Sequence, residues 1–421
     1  GVFQRYSFRS TAQPRSITVA VLYQRAAPNW PYRHWQYVLK HQGLKMKLLL
    51  KTVCLLLALC VAPAFAQTRG ITPEDYFAFE FLSDPHLSPD GKLVAYVVTK
   101  IDRAQNRRNS AIWMVAADGA RAPWQFTTNP QSASSPRWSP DGRSLAFVSA
   151  RPSAEASAQE QPRPQVYVLS LDGGEARRVT NLKNGVSGFQ WSPDGSRLVV
   201  VSRIGPSDSR PESPNSSKDR SDVRHYKNTS YKFNDSGWFD DRRTHLWVVD
   251  VKSGAAKQIT EGDDWNDSDP QWSPDGTKLS FVNERGLMAF DMASGKVTKL
   301  RSGCFGETGW IDNSRLIASK SLADVPAGAP NARFEWIDFA NPAGGQTIDF
   351  ASDLREVRSI KPIPRTEGAV FLDGKQLFVA EFGGVRALTT TNDVLGYAMA
   401  ADGNRIVYAR ETKSTAQSLL T

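Results

Sequence analysis

The chain has 421 residues, enough for two ordinary domains or one large repeat architecture. Its formal net charge of +9 comes from 52 basic and 43 acidic residues, but residues 1–66 hold nine of the basic ones and no Asp or Glu. Without them the remainder balances at 43 against 43, and a neutral body leaves no electrostatic footprint for nucleic acid.

From Met46 to Ala66 the sequence has Lys47 and Lys51 in front, a short apolar run, and Ala64-Phe65-Ala66 at its end. This is the layout of a secretory signal peptide with a small-x-small cleavage site. The apolar run is shorter than the roughly 20 residues a membrane span needs, so no stable membrane anchor is expected. A lipoprotein signal is disfavoured because Leu59 precedes Cys60. Residues 1–45 are then either the product of a start upstream of Met46 or a genuine extension. The simpler first reading leaves them outside the fold. Cleavage removes Cys54 and Cys60, and the lone Cys304 cannot form an intramolecular disulfide. Stability has to come from the core of residues 67–421.

Internal repetition dominates that region. Four copies of one motif open at Leu87 (LSPDGKLVAYVV), Trp138 (WSPDGRSLAFVS), Trp191 (WSPDGSRLVVVS) and Trp272 (WSPDGTKLSFVN). Weaker copies open at Trp310, Phe371 and Met399, giving seven units. Pro presets φ, Asp caps the turn through its side chain and Gly accepts positive φ, so each copy predicts a hairpin. The apolar run after each turn is a strand buried on both faces, and the leading Trp is a filler between neighbouring sheets. Between copies lies a second strand–turn–strand pattern, clearest from Val166, His245 and Leu287. Two hairpins per unit make four strands, and four-stranded units at this spacing predict an all-β, seven-unit propeller with its last blade incomplete.

The motif intervals Ser88–Ser139 and Ser139–Ser192 are 51 and 53 residues, but Ser192–Ser273 is 81. An insertion within Arg203–Thr244 accounts for the excess. Its first half is polar and rich in Pro and Ser, and its second half is aromatic and charged. A smaller polar loop, Arg151–Gln165, decorates the second unit.

No complete catalytic site is legible. The nearest approach to a Gly-x-Ser-x-Gly elbow is Gly185-Val186-Ser187-Gly188-Phe189, which lacks the final Gly and sits where a loop is expected. After the signal peptide only His86, His225 and His245 remain, with no paired cysteines, so no metal ligand set is formed. The acidic run Asp263–Asp269 lacks the Gly and distal Glu of a calcium loop. No phosphate-cradling glycine loop is present, and no cofactor is implied.

The start ITPEDYFAFEFLSDPHLSPDGKLVAYVVTKID and the repeated blades resemble prolyl-oligopeptidase-type serine peptidases. The stretch SYKFNDSGWFDDRRTHLWVVDVKSG, followed by QITEGDDWNDSDPQWSPDG, is similar to the acylaminoacyl-peptidase and secreted dipeptidyl-peptidase branch. The resemblance covers about residues 70–421, and Tyr231–Asp250 is its discriminating part. It implies the propeller portion of an exported enzyme cleaving short peptides, periplasmic or secreted. The propeller would gate and shape the substrate cavity, and a C-terminal α/β-hydrolase domain would carry the catalytic residues beyond Thr421. No catalytic position can be carried onto this chain. The rival expectation is a non-enzymatic, TolB-like periplasmic binding propeller. Within Tyr226–Arg243, aromatic anchors with interspersed charge make Tyr231, Trp238, Asp240, Asp241 and Arg242 candidate substrate-binding residues. In an enzyme acting on free N-termini, Asp240 or Asp241 would meet the positive amine.

Overall fold

The computed structural model describes residues 17–21, 72–128, 131–152, 162–209, 232–233, 237–238, 241–321, 332–344, 347–348, 357–381 and 384–411. The segment Met46–Ala66, expected to be a signal peptide, and most of the insertion lie outside them. Each Ser-Pro-Asp-Gly turn folds as its chemistry dictates. The Oγ of Ser88, Ser139, Ser192 and Ser273 donates to the Asp two residues on, at 2.5–2.7 Å. It accepts the backbone N–H five residues on, at 2.9–3.0 Å. The glycine of each turn has φ of 69–71°, a conformation that a Cβ would strain.

β1 (Ile17–Val21) precedes the repeats. A short 3-10 helix, Pro73–Ala78, leads into blade one: β2 (Glu80–Leu87), β3 (Leu93–Asp102), β4 (Arg107–Ala116) and β5 (Trp124–Gln125). Blade two is β6 (Ala133–Trp138), β7 (Ser144–Ser149), β8 (Gln165–Ser170) and β9 (Arg177–Arg178). Blade three begins with β10 (Gly188–Trp191) and β11 (Arg197–Ile204). The insertion follows, with β12 (Lys232–Phe233) and β13 (Gly237–Trp238) paired as a separate ribbon. β14 (Arg243–Asp250) and β15 (Ala256–Gln258) complete blade three. Blade four is β16 (Ser268–Trp272), β17 (Lys278–Asn283), β18 (Gly286–Asp291) and β19 (Val297–Arg301). Blade five is β20 (Phe305–Trp310), β21 (Arg315–Ser321), β22 (Ala332–Asp338) and β23 (Thr347–Ile348). Blade six is β24 (Val357–Pro362), β25 (Ala369–Asp373), β26 (Gln376–Glu381) and β27 (Gly384–Ala387). Pairing is antiparallel throughout.

Among the described residues the four-stranded blades number six, which corrects the expectation of seven. There the seventh repeat supplies β28 (Val394–Met399) and β29 (Ile406–Glu411), and the third strand of that sheet is β1, paired with β29. One motif was also misplaced. The Asp373-Gly374 turn near Phe371 joins β25 to β26, the second and third strands of blade six, not the first and second. The true counterpart is the turn after Pro362, where Ile363 N–H bonds Gly368 O at 2.9 Å. An Asp-Gly pair suits either hairpin, so the dipeptide alone does not fix which one it closes.

Apolar contacts run between neighbouring blades. Ala146 and Val166 of blade two pack with Leu198, Val200 and Val249 of blade three. Blade one shares a core with the seventh sheet through Leu87, Val94, Ala398 and Val407, which closes the ring. Arg405 Nη1 donates to Gly91 O at 3.1 Å across the same seam. The leading tryptophans are interblade fillers, as their pattern predicts. Trp138, Trp191 and Trp310 donate from Nε1 to carbonyls of the preceding blade, those of His86, Arg137 and Gln271, at 3.0–3.1 Å.

Candidate functional site

Antiparallel blades send successive connections to opposite faces of the ring. The Ser-Pro-Asp-Gly turns share one face. The links between second and third strands, including the insertion between β11 and β14, share the other. The innermost strands β2, β6, β10, β16, β20, β24 and β28 surround the axis, and the polar chemistry concentrates on them.

Several of these strands are bulged one turn before their ends. Asp84, Ser135, Asp269 and Ser359 sit there at φ of 49–57°. In the first three a proline follows, which a bulge tolerates because Pro has no N–H to give the ladder. With the repeats aligned on their tryptophan position, two layers emerge. One place earlier stand His86, Arg137, Gln190, Gln271, Gly309, Lys361 and Ala398. Three places earlier stand Asp84, Ser135, Gly188, Asp269, Glu307, Ser359 and Gly396. The first layer holds all the bases and the second all the acids.

Hydrogen bonds link these residues from blade to blade. Arg137 Nη1 donates to both Asp84 oxygens at 3.0 and 3.1 Å. Gln190 Nε2 donates to Gln271 Oε1 at 2.8 Å. Thr308 N–H donates to Asp269 Oδ2 at 2.6 Å, and Ile360 N–H to Glu307 Oε2 at 3.0 Å. The Tyr397 hydroxyl donates to Ser359 O and, at 2.7 Å, to Val370 O.

Crowding charges around one axis shifts their titration. Burial pushes the Asp269 carboxyl up to about 7, with Glu307 adding to the shift and its hydrogen bonds opposing it. Burial would also raise Asp84, but the hydrogen bond from His86 and the charge of Arg137 hold it well below the usual carboxylate range. Burial and then the charge of Arg137 lower His86 to about 4. Its 3.5 Å contact with Asp84 at neutral pH is therefore that of an uncharged imidazole. Lys361 is lowered by burial and by repulsion from Arg137.

None of these axial residues was singled out from the sequence. The signal was present in the positions one and three before each motif, but it appears only when the repeats are stacked.

The insertion residues have a different fate. Tyr231 and Asp240 lie outside the described residues, and Trp238 is placed only as part of β13. Asp241 accepts from Ser207 N–H at 2.9 Å and from Ser207 Oγ at 2.6 Å. Arg242 forks onto Asp208, which is nearly buried, through Nε and Nη2 at 2.9–3.1 Å. Asp208 also accepts from Asn184 Nδ2 and Gly205 N–H. Together these bonds tie the two ends of the insertion. Where the chain re-enters blade three, buried His245 meets Asp267 Oδ2 at 3.0 Å and Gly262 O at 2.8 Å. A cavity of about 460 Å³ lies beside this pair between blades three and four. Its polar lining is committed internally, with Asn283 on Asp267 and Arg285 stacked 3.4 Å over Trp265. Of the four acids in the run Asp263–Asp269, Asp267 packs here and Asp269 faces the axis, while Asp263 and Asp264 are exposed. Ser187, the near-elbow serine, donates its hydroxyl to Val201 O at 3.2 Å in a loop.

Two family models match the chain: the TolB beta propeller domain over residues 78–220, and the dipeptidyl peptidase IV N-terminal region over residues 217–313. The "Uncharacterized peptidase YuxL" of Bacillus subtilis is 35% identical over 212 residues, 50% of this chain and 31% of that protein. Dipeptidyl-peptidase 5 of Porphyromonas endodontalis is 24% identical over 273 residues, 57% of this chain and 36% of that one. The solved acylaminoacyl peptidase of Pyrococcus horikoshii superposes with a TM-score of 0.59 at 20% identity, over 82% of this chain and 51% of that chain. The chain is similar to the propeller regions of prolyl-oligopeptidase-type peptidases. The propeller region spans about a third of the length of the curated relatives it matches. The two models meet within the insertion.

Proposed function

We propose that this propeller serves an exported serine peptidase that cleaves short peptides, in which it restricts entry and shapes the substrate cavity. The observation that carries the reading is the match to the dipeptidyl peptidase IV N-terminal region over residues 217–313, which takes in the later part of the blade-three insertion and blade four. A ring of blades with a polar axis admits an extended peptide and rejects a folded protein. On this reading the catalytic serine belongs to a hydrolase domain and not to the blades. Export rests on the signal-like segment Met46–Ala66 and on likeness to dipeptidyl-peptidase 5 and to a Tol-Pal system protein TolB. No helix among the described residues is long and apolar enough to cross a membrane.

On this reading Tyr231, Trp238 and Asp240 contact the peptide, and Asp241 and Arg242 hold the insertion in place. The TolB match over residues 78–220 favours a second reading, a binding propeller without hydrolysis. Assay of the protein made from its natural gene separates the two. Hydrolysis of short peptides with folded proteins left intact supports the peptidase. Peptide binding without turnover supports the binder. Asp240→Asn should raise KM for free-amine peptides and leave N-acylated ones unchanged; equal kinetics for both would remove Asp240 from the site.

A further inference from the structure

Lys361 is an isolated cation in the axial basic layer. Its flanking neighbours in that layer, Gly309 of blade five and Ala398 of the seventh sheet, offer no polar side chain. No hydrogen bond or ion pair ties its ammonium to any described residue, and the nearby acids are engaged. Glu307 accepts from Ile360 N–H, Asp269 from Thr308 and Gln271, and Asp84 from Arg137. Arg137 is half used. Its Nη1 takes Asp84 and the Pro136 carbonyl, while Nε and Nη2 bond no described residue. Neither of those atoms, nor Lys361 Nζ, is among the sealed polar atoms that lack a partner. Burial, and after it the charge of Arg137, lowers the lysine's proton affinity. Two cations held within mutual repulsion, each with unused donors, are relieved by an anion between them. The Nε–Nη2 edge of a guanidinium matches the two oxygens of a carboxylate.

We propose that the axial basic layer is a carboxylate-binding site, in which Lys361 and the free edge of Arg137 take the C-terminal carboxylate of a short peptide lying in the channel. The amides of Gln190 and Gln271 complete the layer, already oriented by their mutual bond. The acid layer beneath disfavours a second anion, because Asp84 holds negative charge there. The site thus fixes both the sign of the ligand and the depth at which it stops. It does not depend on the peptidase reading, since it requires binding and not turnover.

The test is calorimetric titration of the full chain with N-acetyl-alanyl-alanine and with its C-terminal amide. The acid should bind at least about tenfold more tightly than the amide, with an affinity that falls as salt rises. Lys361→Gln should lose that preference, and Lys361→Arg should keep most of it. Acetate and inorganic phosphate serve as separate arms. Competition by either at concentrations well above the peptide's supports an oxyanion site with peptide as its ligand. Phosphate that binds while the peptide acid does not overturns the peptide assignment. Equal affinity for acid and amide overturns the proposal without recourse to any variant. So does an unchanged acid preference in Lys361→Gln with a normal thermal transition.

Discussion

Trp138, Trp272 and Trp310 fill the spaces between blades, while residues one and three places earlier on the same strands face the axis with Arg137, Asp269, Gln271 and Glu307. The two regions share a backbone and a repeat, yet they obey different rules. Between blades the contacts are apolar, and the tryptophans are nearly sealed, at 7–8% exposure. Around the axis, charges are crowded, bulged backbone is held at positive φ, and carboxyl groups titrate far from their usual range. Burial between blades stabilises the ring; the axis spends some of that stability on chemistry.

Variants that cross this boundary should separate the two roles. The largest loss belongs to the interblade layer. Trp310→Ala removes a ring that packs against Leu287, Leu316 and Ile337 and stacks on Phe339, and it should cost about 3–5 kcal/mol in urea unfolding. Next comes the turn chemistry. Ser192→Ala deprives Asp194 and the Arg197 N–H of a buried partner and should cost about 1–3 kcal/mol by the same measurement.

The axis should show itself in pH dependence before it shows in stability. The folded pKa of Asp269, about 7, lies above its ordinary value of 3.8. Its contribution is therefore fully present below about pH 4 and is lost as pH rises through about 7. His86 acts in the opposite sense: its folded value of about 4 lies below 6.5, so its contribution is present above that value and lost on acidification. Thermal melts of Asp269→Asn against the parent should show the variant gaining relative stability as pH rises from about 4 to about 7. A difference independent of pH would mean that Asp269 is ionised throughout. The smallest effect is expected at the insertion root, where Asp241→Asn keeps one acceptor oxygen for Ser207 and should cost under about 1 kcal/mol.

The blades were legible because one hairpin carries a redundant code. Ser, Pro, Asp and Gly each constrain the turn, and four strong copies agree. Where that code thins, the reading erred. At Phe371 an Asp-Gly pair belongs to the other hairpin. The axis was illegible for another reason. Its partners, such as Asp84 with Arg137 or Glu307 with Ile360, are some fifty residues apart and meet only when blades close into a ring. In the insertion, composition marked Asp241 and Arg242 for ligands, but Ser207 and Asp208, across the root, bind them first.

Fluorophosphonate labelling of the protein made from its natural gene, with the modified residue located by mass spectrometry, tests most directly whether the proposed peptidase carries its nucleophile outside the blades. One labelled serine outside residues 72–411 is expected, and no label on the blades. A labelled Ser187 or other blade serine, or a natural product that takes no label, would contradict the proposal.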